Sequence, residues 1–113
     1  MAKYSFKAKM WKYDGSAGWY FVTLPKQLSV KIRKKHGLSE EGWGRLKTIA
    51  KIGNTEWKTA IWFDTKAKSY LLPVKAGVRK SEGLNADVLV SVILRLDSED
   101  PNLSRWLRST FAK

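Results

Sequence analysis

Apolar and polar residues alternate from the start of the chain. Tyr4, Phe6, Ala8 and Met10 fall on one side, Ser5, Lys7 and Lys9 on the other. A period of two predicts a half-buried strand whose outer face carries lysines. Residues 14–18 (Asp-Gly-Ser-Ala-Gly) form a turn cluster, and residues 19–24 (Trp-Tyr-Phe-Val-Thr-Leu) have the aromatic and β-branched content of a second strand. Pro25 stops that strand and can open a helix, since its missing N–H costs nothing in a first turn. Residues 26–35 are expected to form this helix. Leu28 and Ile32 lie on its inner side, Lys31, Arg33, Lys34 and Lys35 surround the rest, and Gly37 ends it.

The clearest local signal is central. Residues 45–52 and 55–63 read as strands separated only by Gly53-Asn54, and Gly at the first loop position suits a type II′ hairpin. A turn over 64–68 leads to a fifth strand from Ser69 to Pro73, and a short helix over 75–82 ends at Gly83. Residues 88–96 are almost continuously apolar, which predicts a central strand buried on both faces. Asp100-Pro101 has the form of an N-cap before a last helix over 100–113, with Leu103, Trp106, Leu107 and Phe111 on one face. No linker or low-complexity stretch interrupts the pattern, so residues 1–113 read as one domain with a barrel over 3–96.

One pattern occurs twice. Leu24-Pro25 precedes Arg33-Lys34-Lys35-His36-Gly37-Leu38, and Leu72-Pro73 precedes Arg79-Lys80-Ser81-Glu82-Gly83-Leu84. Each unit is strand, Pro, short helix, Gly-Leu, strand. Pro and Gly punctuate helices generally, but capping does not require the matched Arg-Lys. Two such units interleaved as a pseudo-two-fold barrel would hide each other's edges.

Composition narrows the chemistry. The 113 residues hold 22 Lys and Arg against 10 Asp and Glu, a formal +12, with one His, no Cys and six Trp. Thiol catalysis, disulfide scaffolds and Cys-ligated zinc are excluded, and a lone His leaves no pair of catalytic imidazoles. The 43% hydrophobic content can fill a core, which argues against disorder. No apolar stretch at the N-terminus resembles a secretory signal and none is long enough to span a bilayer, so the expectation is a cytoplasmic protein without a membrane partner.

The chain resembles the domain-of-unknown-function 1905 family over about residues 3–96. The resemblance rests on residues 19–25 (Trp-Tyr-Phe-Val-Thr-Leu-Pro), Gly44-Arg45-Leu46, Gly53, residues 71–75 (Leu-Leu-Pro-Val-Lys) and residues 78–84 (Val-Arg-Lys-Ser-Glu-Gly-Leu). The family pattern closes with Gly-Asp before the last strand, where this chain has Ala86-Asp87. The resemblance implies an all-β protein, a small double-split β-barrel with two short helices, here followed by the C-terminal helix. It supplies no activity and no catalytic residues. Each half also looks like one unit of the swapped-hairpin barrel of AbrB-like transition-state regulators, an analogy of fold that carries no function.

Charge suggests a partner class. Residues 1–35 hold nine of the cations and a single acid, Asp14, a net +8, while the remainder is net +4. Lys7, Lys9, Lys31, Arg33, Lys34 and Lys35, with Arg79 and Lys80 as the second unit's equivalents, are the candidates for a face that holds DNA or RNA phosphates. The alternative is a solubilising lysine surface, with Arg33 and Arg79 capping helix carbonyls or pairing with Asp87. Trp11, Tyr13, Trp43 and Trp62 could stack on unpaired bases, though packing is the commoner use of such rings, and the six tryptophans read mainly as barrel filling.

Enzyme signals are thin. His36 reads as a partly exposed imidazole at a helix end. Glu40 and Glu41 lie side by side in a loop, and Asp97, Glu99 and Asp100 read as a helix N-terminal charge group rather than a metal site. No phosphate loop or dinucleotide fingerprint is present, so no cofactor or metal is expected. The expectation is a non-enzymatic basic β-barrel that binds nucleic acid. The rival is a protein-interaction or small-ligand module working through a barrel pocket or the face of Leu103, Trp106, Leu107 and Phe111.

Overall fold

The computed structural model describes residues 2–15, 18–37 and 44–96. The elements are β1 (Ala2–Lys12), β2 (Tyr20–Thr23), α1 (Lys26–His36), β3 (Arg45–Ile52), β4 (Thr55–Asp64), β5 (Ser69–Pro73), α2 (Ala76–Glu82) and β6 (Leu89–Leu96). The six strands close an antiparallel barrel in the order β1-β2-β5-β4-β3-β6. The expected final helix with Leu103, Trp106, Leu107 and Phe111 lies outside the described residues, as do Glu40, Glu41, Trp43, Asp97, Glu99 and Asp100.

The order obeys the internal duplication. Exchanging β1 with β4, β2 with β5 and β3 with β6 leaves it unchanged. The registers obey the same exchange. Tyr4 pairs with Leu94 as Trp57 pairs with Ala50, and Met10 pairs with Val22 as Phe63 pairs with Tyr70. Leu46, Thr48, Ala50 and Ile52 of β3 thereby correspond to Val90, Val92, Leu94 and Leu96 of β6, and both sets are buried.

Alternation fills the barrel. Tyr4, Phe6 and Met10 of β1 point inward against Val22, Leu24, Ile61, Tyr70, Leu72, Leu94 and Leu96, while Lys3, Lys7 and Lys9 stay outside. Thr48, the one buried polar residue of β3, donates its hydroxyl to the Arg95 carbonyl at 2.9 Å, so its burial leaves no orphaned donor. The strand expected to be buried on both faces is not. β6 alternates like the others, with Leu89 61% exposed and Ser91 also outside. A closed barrel gives each strand one inner face, and neither helix covers the outer face of β6 enough to hide it.

The central hairpin forms as expected. Ile52 pairs with Thr55, and of the two loop residues only Gly53 has positive φ, at 58°, the type II′ pattern. Before β6 the left-handed residue is Asp87 (φ 69°) rather than residue 86, so the Ala86 departure costs nothing in backbone strain. Aspartate tolerates that conformation. The Asp87 N–H donates to the Met10 carbonyl at 2.7 Å and the Met10 N–H to the Val88 carbonyl at 3.0 Å, tying this turn to β1.

Both helices are fastened at their last residue. α1 buries Ser29, Ile32 and His36, with Leu28 only partly covered, so its inner stripe is rotated from the Leu28–Ile32 line. The reason is polar: Ser29 Oγ accepts the Tyr70 N–H at 3.0 Å, which seats the helix on β5. His36 is 5% exposed, not half-open as expected, and its Nε2 lies 3.0 Å from the Tyr4 hydroxyl on β1. At the equivalent position of α2, the Glu82 carboxylate accepts the Thr55 hydroxyl of β4 at 2.6 Å and the Asn54 N–H at 3.3 Å. One duplicated fastening is thus built from two chemistries.

Two predictions follow from these fastenings. A Cβ on Gly53 would meet a Glu82 carboxylate oxygen and would also sit at positive φ. Gly53→Ala is expected to destabilise by about 1–3 kcal/mol in urea unfolding. The cost should shrink in a Glu82→Ala background; strictly additive costs would show that the contact is irrelevant. Burial pushes the Tyr4 hydroxyl above its ordinary value of 10.0. Its contribution is therefore complete below pH about 10 and is lost as pH rises through the folded-state value. Tyr4→Phe should cost about 1 kcal/mol at neutral pH and make the alkaline loss of stability shallower, as read by unfolding at a series of pH values.

Candidate functional site

The registers of β1, β2, β5, β4 and β3 place one set of side chains together on the outer face. Trp11 lies opposite Phe21 and Phe21 opposite Pro73; next to them Thr23 lies opposite Leu71, Leu71 opposite Trp62 and Trp62 opposite Arg45. Phe21 points out of the barrel yet is only 6% exposed, because other rings roof it. Trp19 stacks on it at 5.8 Å and 7°, Trp11 and Trp62 tilt against it at 5.2 and 6.2 Å, and Tyr13 meets it edge-on at 6.4 Å. The Trp11 indole N–H donates to Thr23 Oγ1 at 2.8 Å, which fixes that ring in place. Trp19 and Tyr13 remain 42% and 49% exposed, so the cluster presents aromatic faces to solvent.

Beside the cluster runs a groove of about 450 Å³ walled by Trp19, Tyr20, Trp57 and Trp62. Its charged lining is Arg45, Lys58, Lys75 and Arg79, and no carboxylate is among the described lining residues. Each cation arrives from a different place. Arg45 starts β3, Lys58 is on the outer face of β4, Lys75 is the N-cap of α2 and Arg79 lies on its inner turns. The Arg79 guanidinium sits 3.8 Å from the centroid of the Tyr20 ring, and its Nε donates to the Val74 carbonyl at 3.2 Å. That double hold fixes a cation beside the groove; the carbonyl it uses belongs to Val74, ahead of the helix and its Lys75 N-cap, and not to a helix residue as expected. Exposed π faces and fixed positive charge together suit a flat, anionic ligand, and the volume falls within the usual range of small-ligand sites.

The eight cations singled out in the sequence do not converge here. Lys7 and Lys9 are on the outer face of β1, opposite Ser91 and Leu89 of β6. Lys31 and Lys35 are exposed on α1, while Arg33 and Lys34 line a second cavity with Phe63 and Lys68. Lys80 lines a shallow hollow beside the end of α2 with Arg79, and Arg79 alone of the eight reaches the aromatic groove. Of the aromatics, Trp11, Tyr13 and Trp62 do join the outer cluster, whereas Trp57 belongs to the core. Of the four described tryptophans, Trp11, Trp19 and Trp62 lie outside the barrel, where the register stacks them, against the expectation of barrel filling, and Trp57 alone meets it.

Trp19, Tyr20, Arg45, Lys58 and Lys75 escaped the sequence reading. The alternation along β4 puts Lys58 and Trp62 on the face opposite Trp57 and Ile61, which was a usable signal. The two-residue loop at Gly53-Asn54 likewise sets Arg45 opposite Trp62 within the hairpin, whereas nothing local brings Trp19, Tyr20 or Lys75 beside them. Among the described residues no helix is long and apolar enough to cross a membrane. A family model described as domain of unknown function (DUF1905) matches residues 6–94. The search of curated proteins found no match.

Proposed function

The chain belongs to the DUF1905 family, and from that premise we propose that it is a binding protein for unpaired nucleic-acid strands, with the aromatic groove as its contact surface. The observation that carries this reading is the described groove lining: four aromatic rings and four cations. Proteins that hold single strands combine these two parts, a positive groove along the backbone and side-chain rings on which bases stack. A duplex keeps its base faces stacked on one another, so Trp19 and Trp62 have little to engage there. The cationic charge of the described lining suits retention of an anion rather than proton exchange, which favours a binding role over catalysis. The remaining cations, including Lys7, Lys9, Lys31 and Lys35, add to the +12 field that draws a polyanion in from a distance.

The volume also accommodates a single mononucleotide, and dependence on strand length separates that occupant from a strand. Intrinsic tryptophan fluorescence reads the groove directly. Titration with a twelve-residue oligothymidylate at low salt is expected to quench it, with dTMP and a matched duplex binding more weakly. For about four phosphate contacts, affinity should fall by tens of fold between ~50 and ~200 mM salt. Trp62→Ala should weaken binding by about 1–3 kcal/mol, and Lys58→Glu with Lys75→Glu should remove most of the salt dependence. Absence of quenching by every probe at ~50 mM salt overturns the proposal. Equal affinity for dTMP and the long strand would assign the groove to a mononucleotide instead.

A further inference from the structure

The internal two-fold repeats more than the fold. The second cavity, of about 670 Å³, lies beside α1 and is lined by Val30, Arg33, Lys34, Phe63, Thr65 and Lys68. Three of these positions are the two-fold mates of groove residues. Val30 and Arg33 correspond to Ala76 and Arg79 through the matched helices, and Lys68 corresponds to Tyr20 through the paired β2 and β5 registers. An arginine–ring contact recurs as well, on rings that are not two-fold mates, since Phe63 corresponds to Met10 and Tyr20 to Lys68. The Arg33 guanidinium sits 3.8 Å from the centroid of the Phe63 ring, the same distance at which Arg79 covers Tyr20. In both cases the ring belongs to the other half of the chain, so each arginine bridges the two repeats.

The charge of the second cavity follows the same rule. Its charged lining is Arg33, Lys34 and Lys68, all cationic, and no carboxylate is among the described lining residues. Phe63 is partly buried in a T-shaped contact with Tyr70, and Val30 is 61% exposed, so the cavity offers apolar surface next to positive charge. It differs from the groove in having no tryptophan in its described lining.

We propose that this cavity is a second binding site for the same class of ligand, a phosphate-bearing nucleotide unit of an unpaired strand, so that one molecule holds two such units on its two repeats. The proposal rests on the reading of the groove as a strand-binding site. Phosphate is held by Lys34 and Lys68, and Arg33, fixed on Phe63, offers a flat cationic surface to the base.

The absence of tryptophan from the described lining makes the two sites separable by readout. Titration calorimetry of the full chain with dTMP, a single nucleotide unit that fills one site at a time, is expected to give two bound per protein, while tryptophan quenching saturates with only one of them. Lys34→Glu with Lys68→Glu, both exposed and outside the core, should reduce the stoichiometry to one and leave quenching unchanged. A stoichiometry of one that tracks quenching and is indifferent to that variant overturns the second site and leaves the groove reading intact. Heat without quenching, abolished by the variant, supports the second site and overturns the groove. Absence of both heat and quenching overturns the two together.

Discussion

The antiparallel seam between β1 and β6 is the constraint from which the remaining geometry derives. It runs from Ala2 opposite Leu96 to Lys9 opposite Leu89 and joins the first and last described strands. With it, six strands become a ring that has no free edge, and every strand is left with one face inside and one outside. The inner face then has to be apolar on every strand, which is why Met10, Val22, Ile61, Leu72 and Leu94 are all fully covered. Closure also makes the outside a continuous surface, on which residues from distant parts of the chain become neighbours. Were the seam open, the outer row from Trp11 to Arg45 would still form, but β1 and β6 would present unpaired backbone to any passing strand.

The two helices occupy equivalent positions and have diverged in how they are held. His36 meets a buried tyrosine hydroxyl, whereas Glu82 reaches a hairpin at the surface. Duplication imposes the location of each contact, since the exchange of strands carries the end of α1 onto the end of α2. It does not impose the chemistry, because any side chain that can exchange one hydrogen bond satisfies the strand below. Arg33 and Arg79 kept their residue type but lie over rings from non-equivalent strands, Phe63 of β4 and Tyr20 of β2. Each lies over a ring supplied by the opposite repeat, so these two contacts couple the halves as well as positioning charge.

The groove shows why charge density along a sequence is a poor guide to where charge acts. Most of the net positive charge is carried by residues 1–35, yet all four groove cations come from the later part of the chain, whose net charge is only +4. Arg45, Lys58, Lys75 and Arg79 are far apart in sequence and close only because β3, β4 and the start of α2 meet beside the aromatic cluster. Placement beside exposed rings, not abundance, is what distinguishes them from the lysines of β1 and α1.

Much of the architecture was legible from the residues. Strict alternation in β1, the two-residue loop at Gly53-Asn54, and the repeated Leu-Pro and Arg-Lys-x-x-Gly-Leu pieces are local signals, and local backbone preference is what they report. They specify the strands, the helices, the hairpin and the two-fold kinship of the halves. The pattern failed where burial depends on neighbours: β6 read as buried on both sides, His36 as half-open, and the tryptophans as mostly interior, where three of the four described ones lie outside. A run of apolar residues does not say which of its faces another element will cover. The site was hardest to see for the same reason. Sequence determined which residues alternate and where the chain turns, but only the closed barrel, by fixing which strand lies beside which and in what register, decided that rings and cations from four separate elements would line one groove.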